Sequence, residues 1–447
     1  MRAFRFMHVA DLHLDSPFKG LAGLPERIRE SIRESTFDAL QRMIDTAIEE
    51  QVDGVLIAGD VYDGADRSLR AQLRFQRAMQ RLAERGIAAY VVHGNHDPDD
   101  GRKAKLAWPE TVHFFSSTEP ECRPLEDRSG GLLAHVHGMS FGTSAVRDNL
   151  AARYAAREGG GFQIGLLHAN VDGDAGHDNY APCSTRQLAA SGFHYWALGH
   201  IHSRRVLGEE PWIVYPGNIQ GRSAREVGPK GCYIVDVSES GRAELRFRPL
   251  DAVRWFAETV SIEGMTTEQE LRDELAFRLE QVDSGAAGGR SAVVRLQLEG
   301  RGPLHRALQS GSLLQELLGE LREEQLRRAE RGGWSGARLG LGGEERERWV
   351  WPESIVLRTG VELDRERLLR QEGFIGDLIA SVNGLLEAGR SSSELEAYCR
   401  TALEPLLQHP KAGRLVEELL REEGADWLRA AEELALGLLT EEEGWDG

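Results

Sequence analysis

Five short, largely apolar runs punctuate the first 200 positions, and each leads into a Gly, a charged residue or a histidine. Phe4–Ala10 leads into Asp11, Asp53–Ala58 into Gly59, Ala88–His93 into Gly94, Phe162–Leu166 into Leu167 and His168, and Tyr195–Leu198 into Gly199. Runs bounded in this way predict buried strands. Between the first three runs the spacing becomes helical, over 24–51 and 68–86, the second ending on Gly86, a residue suited to a C-cap. Strand alternating with helix predicts an α/β layered domain.

Beyond residue 250 the pattern changes. Strands are expected at 255–263, 291–299 and 354–358, with helices at 267–280 and 312–331 between them. The first of these helices opens on Thr267-x-x-Glu270, a capping box. This β-α-β-α-β order predicts a second, small α/β domain. A Gly-rich linker occupies 284–290, and the Gly-rich stretch 332–343 reads as a mobile loop. From 371 onward the pattern is helical only, with Leu415, Leu419, Leu420, Trp427 and Leu428 recurring at helical spacing. The expected domains are therefore 1–250, 251–370 and 371–447.

The residues that follow the five strand-like runs carry the chemistry. They are Asp11 and His13, Asp60 and Asp63, Asn95 and His96, His168, and His200 and His202. Asp11, His13, Asp60, Asn95, His168, His200 and His202 supply enough oxygen and nitrogen ligands for two metal ions. Two neighbouring cations need a shared anionic bridge, and Asp60 is the candidate. Imidazole mixed with carboxylate favours Mn2+, Fe2+ or Zn2+ over Ca2+ or Mg2+. Water held between two such ions becomes a nucleophile near neutral pH, and the ions offset charge building on a phosphoryl group. His96, on the same turn as Asn95, is then placed to protonate the leaving oxygen, with Asp63 holding its ring. His8, His93, His135 and His137 lie inside strand-like runs and read as core residues. Asp172 and Asp174 read as solvated loop acids. His177, in the polar loop after His168, and Arg222 are the candidates for substrate contact.

In order and spacing, Asp-x-His, Gly-Asp-x-x-Asp, Gly-Asn-His-Asp, a lone His and Gly-His-x-His resemble the motifs of the calcineurin-like metallophosphoesterases. Within that superfamily the chain is similar to SbcD, the nuclease subunit of the SbcCD complex, and more so to the YhaO-like branch of DNA repair exonuclease-family proteins. Segments 177–183, 195–202, 215–222 and 226–232 carry the closer likeness, which is strong over 1–250. The resemblance implies a four-layer αββα sandwich, a small α/β cap domain that limits access to the site, and a helical C-terminal region. It implies Asp11, His13, Asp60 and His202 around one metal and Asp60, Asn95, His168 and His200 around the other, with Mn2+ expected and Fe2+ or Zn2+ as alternatives. It implies a DNA exonuclease with single-strand endonuclease activity in DNA repair. A coiled-coil SMC-type ATPase like SbcC would be its partner and the catalytic domain would form a homodimer; the apolar face of the C-terminal helices reads first as packing on its own domain, with a dock for that ATPase as the alternative. One position departs from the pattern. SbcD-type nucleases often have His where this chain has Asp63, and phosphatases of the superfamily have Asp there. A phosphatase or cyclic-nucleotide phosphodiesterase using the same site is therefore the alternative. A mainly architectural subunit of an ATPase complex is another, against which the complete ligand set speaks. RNA in place of DNA is a third, since no base-reading motif separates the two.

A net charge of −18 is unlike that of a free-standing nucleic-acid binder, which shows a basic footprint. The charge is uneven: residues 1–250 carry 30 basic and 33 acidic side chains, residues 251–447 carry 24 and 39. The catalytic half is thus nearly neutral before two divalent ions add their charge, and a partner is expected to supply part of the grip on DNA. The four cysteines (122, 183, 232 and 399) form no CxxC pair, which fits a reducing cytoplasm. Met1–Ala10 leads straight into a ligand, so no signal peptide is expected. No apolar run approaches the ~20 residues needed to span a bilayer.

Overall fold

The computed structural model describes residues 1–18, 24–64, 67–101, 103–157, 161–174, 176–309, 311–330, 348–360, 362, 365–370, 373–387, 393–409 and 412–442. The Gly-rich stretch 332–343 lies outside them. The chain divides into two compact units, residues 1–257, 281–294 and 325–353 in the first, and 258–280, 295–324 and 354–447 in the second.

The first unit runs β1 (Phe4–Val9), α1 (Glu26–Glu49), β2 (Gly54–Ala58), α2 (Leu69–Ala83), β3 (Ala88–Val92), β4 (Val112–Phe114), β5 (Glu121–Glu126), β6 (Leu132–Gly138), β7 (Phe162–His168), α3 (Thr185–Ala189), β8 (Tyr195–Gly199), β9 (Arg205–Glu209), β10 (Trp212–Tyr215), β11 (Gly231–Val237) and β12 (Ala243–Pro249). Two six-stranded sheets result, ordered β12-β11-β1-β2-β3-β4 and β5-β6-β7-β8-β10-β9. In each the central strands are parallel, β1 with β2 and β2 with β3, β6 with β7 and β7 with β8.

Burial of both faces of the strands explains why these runs are largely apolar. Phe4, Phe6, Leu56, Ala58, Tyr90 and Val92 point to one face and pack against Val136, Ile164, Leu166, Tyr195 and Ala197 of the other sheet. Met7, Val9, Val55, Ile57, Ala89 and Val91 point the opposite way, under α1 and α2. The outer face of the second sheet is covered by Leu150, Tyr154 and Leu188 over Leu167, Trp196 and Leu198. Helix, sheet, sheet and a thin outer cover of α3 and a 3-10 turn at Leu150–Arg153 make the four-layer sandwich expected. The hydroxyl of Ser68 caps α2 by accepting from Ala71 N–H at 3.0 Å, and Gly86 follows it at φ +68°.

Three further strands, β13 (Val253–Ser261), β14 (Ser291–Arg301) and β15 (Val350–Gly360), form a sheet in that order. β15 begins earlier than the sequence suggests. Pro352 argues against a strand there, but β15 lies at an edge, where a missing N–H is tolerated, and Trp349, Val350 and Trp351 are buried. α4 (Glu268–Gln281) starts on the capping box: Glu270 N–H donates to Thr267 Oγ1 at 3.2 Å and Thr267 N–H to Glu270 Oε2 at 3.1 Å. The remaining helices are α5 (Leu304–Gln309), not foreseen in the sequence, α6 (Leu313–Glu330), α7 (Arg365–Arg370), α8 (Phe374–Glu387), α9 (Ser393–Ala402), α10 (Glu404–Leu407) and α11 (Gly413–Glu442). In α11, Leu420 and Leu428 are buried with Val382 of α8 and Leu395 and Cys399 of α9, so that face packs within its own unit. All four cysteines are free, and among the described residues no helix is long and apolar enough to cross a membrane.

Phe6 is fully buried and meets Tyr195 edge-on at 5.1 Å across the two sheets. Phe6→Ala is expected to destabilise the first unit by about 3–5 kcal/mol, the usual cost of emptying a packed aromatic site. Urea unfolding followed by tryptophan fluorescence checks this.

Candidate metal centre

Asp11 and His13 follow β1, Asp60 follows β2, and Asn95 and His96 follow β3 of one sheet; His168 ends β7, and His200 and His202 follow β8 of the other. All lie at the carboxyl ends of parallel strands, where open α/β sheets leave a crevice. The loops are tied together through the main chain. Asp11 N–H donates to Gly59 O at 3.1 Å, His13 N–H to Asp60 O at 2.9 Å, and Ala169 N–H to Gly199 O at 3.2 Å. The backbone is strained there. Asp11, His13, Asp60 and His200 have φ of 50°, 43°, 47° and 103°, a region non-glycine residues rarely adopt. Gly94 leaves necessary space, since a Cβ at that position would stand 2.3 Å from Asp60 Oδ1 and 2.7 Å from the His168 ring.

The side chains converge on two positions. Single ligand atoms of Asp11, His13 and His202 lie within 4.8 Å of one another, as do those of Asp11, Asp60 and His168. Asp60 Oδ2 stands between the two sets, 3.8 Å from His13 Nε2 and 3.6 Å from His168 Nε2. Its other oxygen accepts from His96 N–H at 2.9 Å. Asp11 accepts His200 N–H at 3.0 Å. Asn95 Oδ1 completes the second set, 2.9 Å from His168 Nε2 and 3.2 Å from His200 Nδ1.

The hydrogen bonds decide which ring nitrogens carry lone pairs. His168 Nδ1 donates to Ala58 O at 2.9 Å, and His200 Nε2 to Asp178 O at 2.8 Å. The opposite nitrogens therefore aim lone pairs at Asn95 Oδ1, itself an acceptor. His202 Nδ1 donates to Glu226 Oε1 at 2.8 Å, which leaves Nε2 facing His13 Nε2 at 3.1 Å. His13 Nδ1 is buried and, among the described residues, has no hydrogen-bond partner; Asp63 Oδ1 is 3.0 Å away but off the N–H direction. Acceptors facing acceptors are unfavourable unless a cation lies between them.

Burial moves the charges the same way. It raises the Asp60 carboxyl to about 6 and the Asp11 carboxyl well above the ordinary range, the latter helped by Asp60. It lowers His168 to about 4 and His200 to about 3, and pulls His13 and His202 down as well. Neutral imidazoles with free lone pairs, beside carboxylates short of positive charge, form a donor set that fits divalent transition-metal ions.

The other sequence candidates have mixed outcomes. His96 lies at the rim, its side chain 40% exposed, edge-on to His13 at 4.8 Å. Asp63 does not hold it by its carboxylate. The closest approach of Asp63 Oδ1 to His96 Nδ1 is 3.8 Å, and the contact that remains is to the Asp63 main-chain oxygen at 3.5 Å. The carboxylate is taken instead by Arg222 at 2.7 Å and Ser16 Oγ at 3.0 Å. Arg222 is correspondingly engaged, reaching Ser16 Oγ at 3.2 Å as well. His177 is at the site, its ring 5.5 Å from that of His200 and 5.3 Å from that of His202, fixed by Asp174 at 3.2 Å. Asp174 is thereby more than a solvated acid, pairing also with Arg205 at 2.5 Å. Asp172 caps α3 through Thr185 N–H at 3.0 Å. His8 bonds Tyr195 Oη at 3.0 Å and Leu198 O at 3.1 Å, and His137 bonds Gln163 at 2.9 Å, as core residues do.

Two residues were not singled out from the sequence. Glu226 orients His202. Asp97, fully buried, accepts Gly94 N–H at 2.8 Å, Val61 N–H at 3.0 Å and His93 Nδ1 at 3.2 Å, and so pins the Gly94–Asp97 turn against the one after β2. The sequence signal for Asp97 was its place at the end of Gly-Asn-His-Asp, and for Glu226 its place at the start of the 226–232 segment.

A two-sheet sandwich with an Asp, Asn and His cluster at its strand ends has the architecture of a metallophosphoesterase. Residues 4–204 match the family model for calcineurin-like phosphoesterases, and residues 255–360 match that for the middle domain of metallophosphoesterase YhaO. The chain belongs to the calcineurin-like metallophosphoesterases, in the YhaO group. It is 37% identical over 423 residues to metallophosphoesterase YhaO of Bacillus subtilis, covering 94% of this chain and 93% of that protein. It is 27% identical over 250 residues to DNA double-strand break repair protein Mre11 of Aeropyrum pernix, and 26% identical over 250 residues to that of Sulfurisphaera tokodaii. These alignments cover 52% and 53% of this chain and 58% and 61% of the Mre11 proteins.

Proton competition gives a test. Asp60, raised to about 6, holds a proton below that pH in the cation-free site, and an entering cation must displace it. His168 and His200, lowered to about 4 and about 3, are already neutral from pH 5 upward and do not compete. The rise in melting temperature caused by saturating Mn2+ should therefore be small at pH 5 and larger at pH 7. A shift that is the same at both, by differential scanning fluorimetry, would contradict this account.

Proposed function

We propose that the protein is a two-metal-dependent DNA phosphodiesterase: an exonuclease, with single-strand endonuclease activity, that works in DNA repair in the cytoplasm. The observation that carries the reading is the convergence of Asp60 Oδ2 between His13 and His168, with the His96 side chain exposed at the rim. Asp11, His13, Asp60 and His202 would hold one ion, and Asp60, Asn95, His168 and His200 the other, with Mn2+ the expected metal. When bound, such ions acidify a shared water and offset charge on the phosphoryl group. The chain's own residues do the rest. Asp11 and Asp60 keep the ligand loops at fixed spacing through His200 N–H and His96 N–H. His96, the exposed imidazole, gives a proton to the departing sugar oxygen. His177, fixed by Asp174, borders the phosphate path. Arg222, held by Asp63, contributes positive charge at the site's edge.

DNA as substrate is supported by the Mre11 relatives, whose name is that of double-strand break repair proteins. In this reading residues 251–370 act as a cap, residues 371–447 receive a coiled-coil SMC-type ATPase, and the catalytic domain forms a homodimer. The excess of acid beyond residue 250 supports a partner that shares in gripping DNA. One feature favours a small phosphodiester or phosphate monoester instead: Asp63 stands where SbcD-type nucleases often have His.

With Mn2+, the full-length protein should degrade linear DNA. His96→Ala should lower the rate by about 10²–10⁴-fold, the usual share of general acid catalysis, with Mn2+ still bound. Cleavage of a small phosphodiester with polynucleotides untouched would sink the nuclease reading. Affinity purification from the native cell should recover a long coiled-coil ATPase, and a protein that comes down alone removes the partner.

A further inference from the structure

The four ligand histidines are not supported alike. On the side of Asp11, the ring nitrogens turned away from the metal meet carboxylates. His202 Nδ1 is 2.8 Å from Glu226 Oε1, and His13 Nδ1 is 3.0 Å from Asp63 Oδ1. Arg222 stands between these two acids, 2.7 Å from Asp63 Oδ1 and 3.8 Å from Glu226 Oε1. On the side of Asn95 they meet neutral main-chain carbonyls, Ala58 O for His168 and Asp178 O for His200. Asp97, the other buried acid nearby, bonds Val61 and Gly94 N–H and His93, and so hydrogen-bonds none of the ligand side chains.

We infer that the two metal positions are unequal by construction: the one held by Asp11, His13 and His202 binds its cation more tightly because Glu226 accepts the ring N–H of His202 and is its positioning residue. The inference rests on the two-metal reading of the site. A carboxylate that accepts a ring N–H fixes the tautomer and makes the opposite nitrogen a more basic ligand, whereas a carbonyl orients the ring without adding charge. The Lys230 ammonium, which donates to His202 O at 3.0 Å, and Arg222 offset the two carboxylates, so the difference between the positions lies in the hydrogen bond that Glu226 makes and not in net charge. Glu226 is rigidly placed for this role. Its Oε2 accepts Asn218 Nδ2–H at 2.9 Å and Arg222 N–H at 2.7 Å, so the loop that carries it is tied to the carboxylate it presents.

Mn2+ alone, titrated into cation-free full-length protein, tests the inference through binding rather than turnover. Calorimetry of the wild type should show two ions taken up in two unequal steps. Electron paramagnetic resonance at one equivalent should show an isolated ion rather than a coupled pair. Glu226→Gln should weaken the tighter step by roughly 10–100-fold, the usual effect of removing such a support, and leave the weaker step in place, so that coupled pairs appear already at one equivalent. Glu226→Asp, which keeps the carboxylate but withdraws it from His202, should weaken the same step, and it decides the matter if Glu226→Gln does not fold. Two equal steps in the wild type, loss confined to the weaker step, or equal loss at both would overturn the inference. Uptake of fewer than two ions by the wild type would remove the two-metal reading and the inference with it.

Discussion

Acceptors that face acceptors govern this protein. His168 and His200 aim lone pairs at Asn95 Oδ1, His202 faces His13, and the Asp11 and Asp60 carboxylates lie fully buried beside them. Each contact alone is repulsive or unsatisfied, and buried groups in that condition are costly. A fold keeps such an arrangement only if something positive reconciles it. The strained backbone at Asp11, His13, Asp60 and His200 follows from the same demand, because four side chains must turn inward at the ends of strands that would otherwise carry them apart.

The sandwich is what makes that demand affordable. Two sheets meet through Phe6, Leu56, Tyr90, Ile164, Leu166 and Tyr195, and their parallel strands all end on one side. Ligands from one sheet are thus set opposite ligands from the other by the rigid core rather than by the loops that bear them. Asp97 and Ala58 O then fix individual rings and turns within hydrogen-bond reach.

Charge is distributed to match. Residues 1–250 are nearly balanced while 251–447 hold most of the excess acid. Within the centre, acid is again uneven: Glu226 and Asp63 stand behind one pair of histidines and uncharged carbonyls behind the other. Arg222 links those two carboxylates and keeps them from repelling each other.

The sequence by itself determined the strands, the helices between them and the kinds of ligand at each strand end. Those are local properties: an apolar run of five or six residues with a Gly or charged stop is written in consecutive positions, as is the capping box at Thr267. It also determined that His8 and His137 would be core residues, since each lies within such a run. Only the tertiary structure decided which groups stand behind the ligands. Asp63 pairs with Arg222, 159 positions away, rather than with His96, and His202 is oriented by Glu226 from a separate loop. The start of β15 at Val350 was hidden in the same way, because Pro352 is tolerated only by virtue of an edge position that no local pattern records. The physical reason is common to all three. Hydrogen-bond partners between loops depend on how two sheets are stacked, and stacking is fixed by the sum of many buried contacts, not by the residues that neighbour each ligand in the chain.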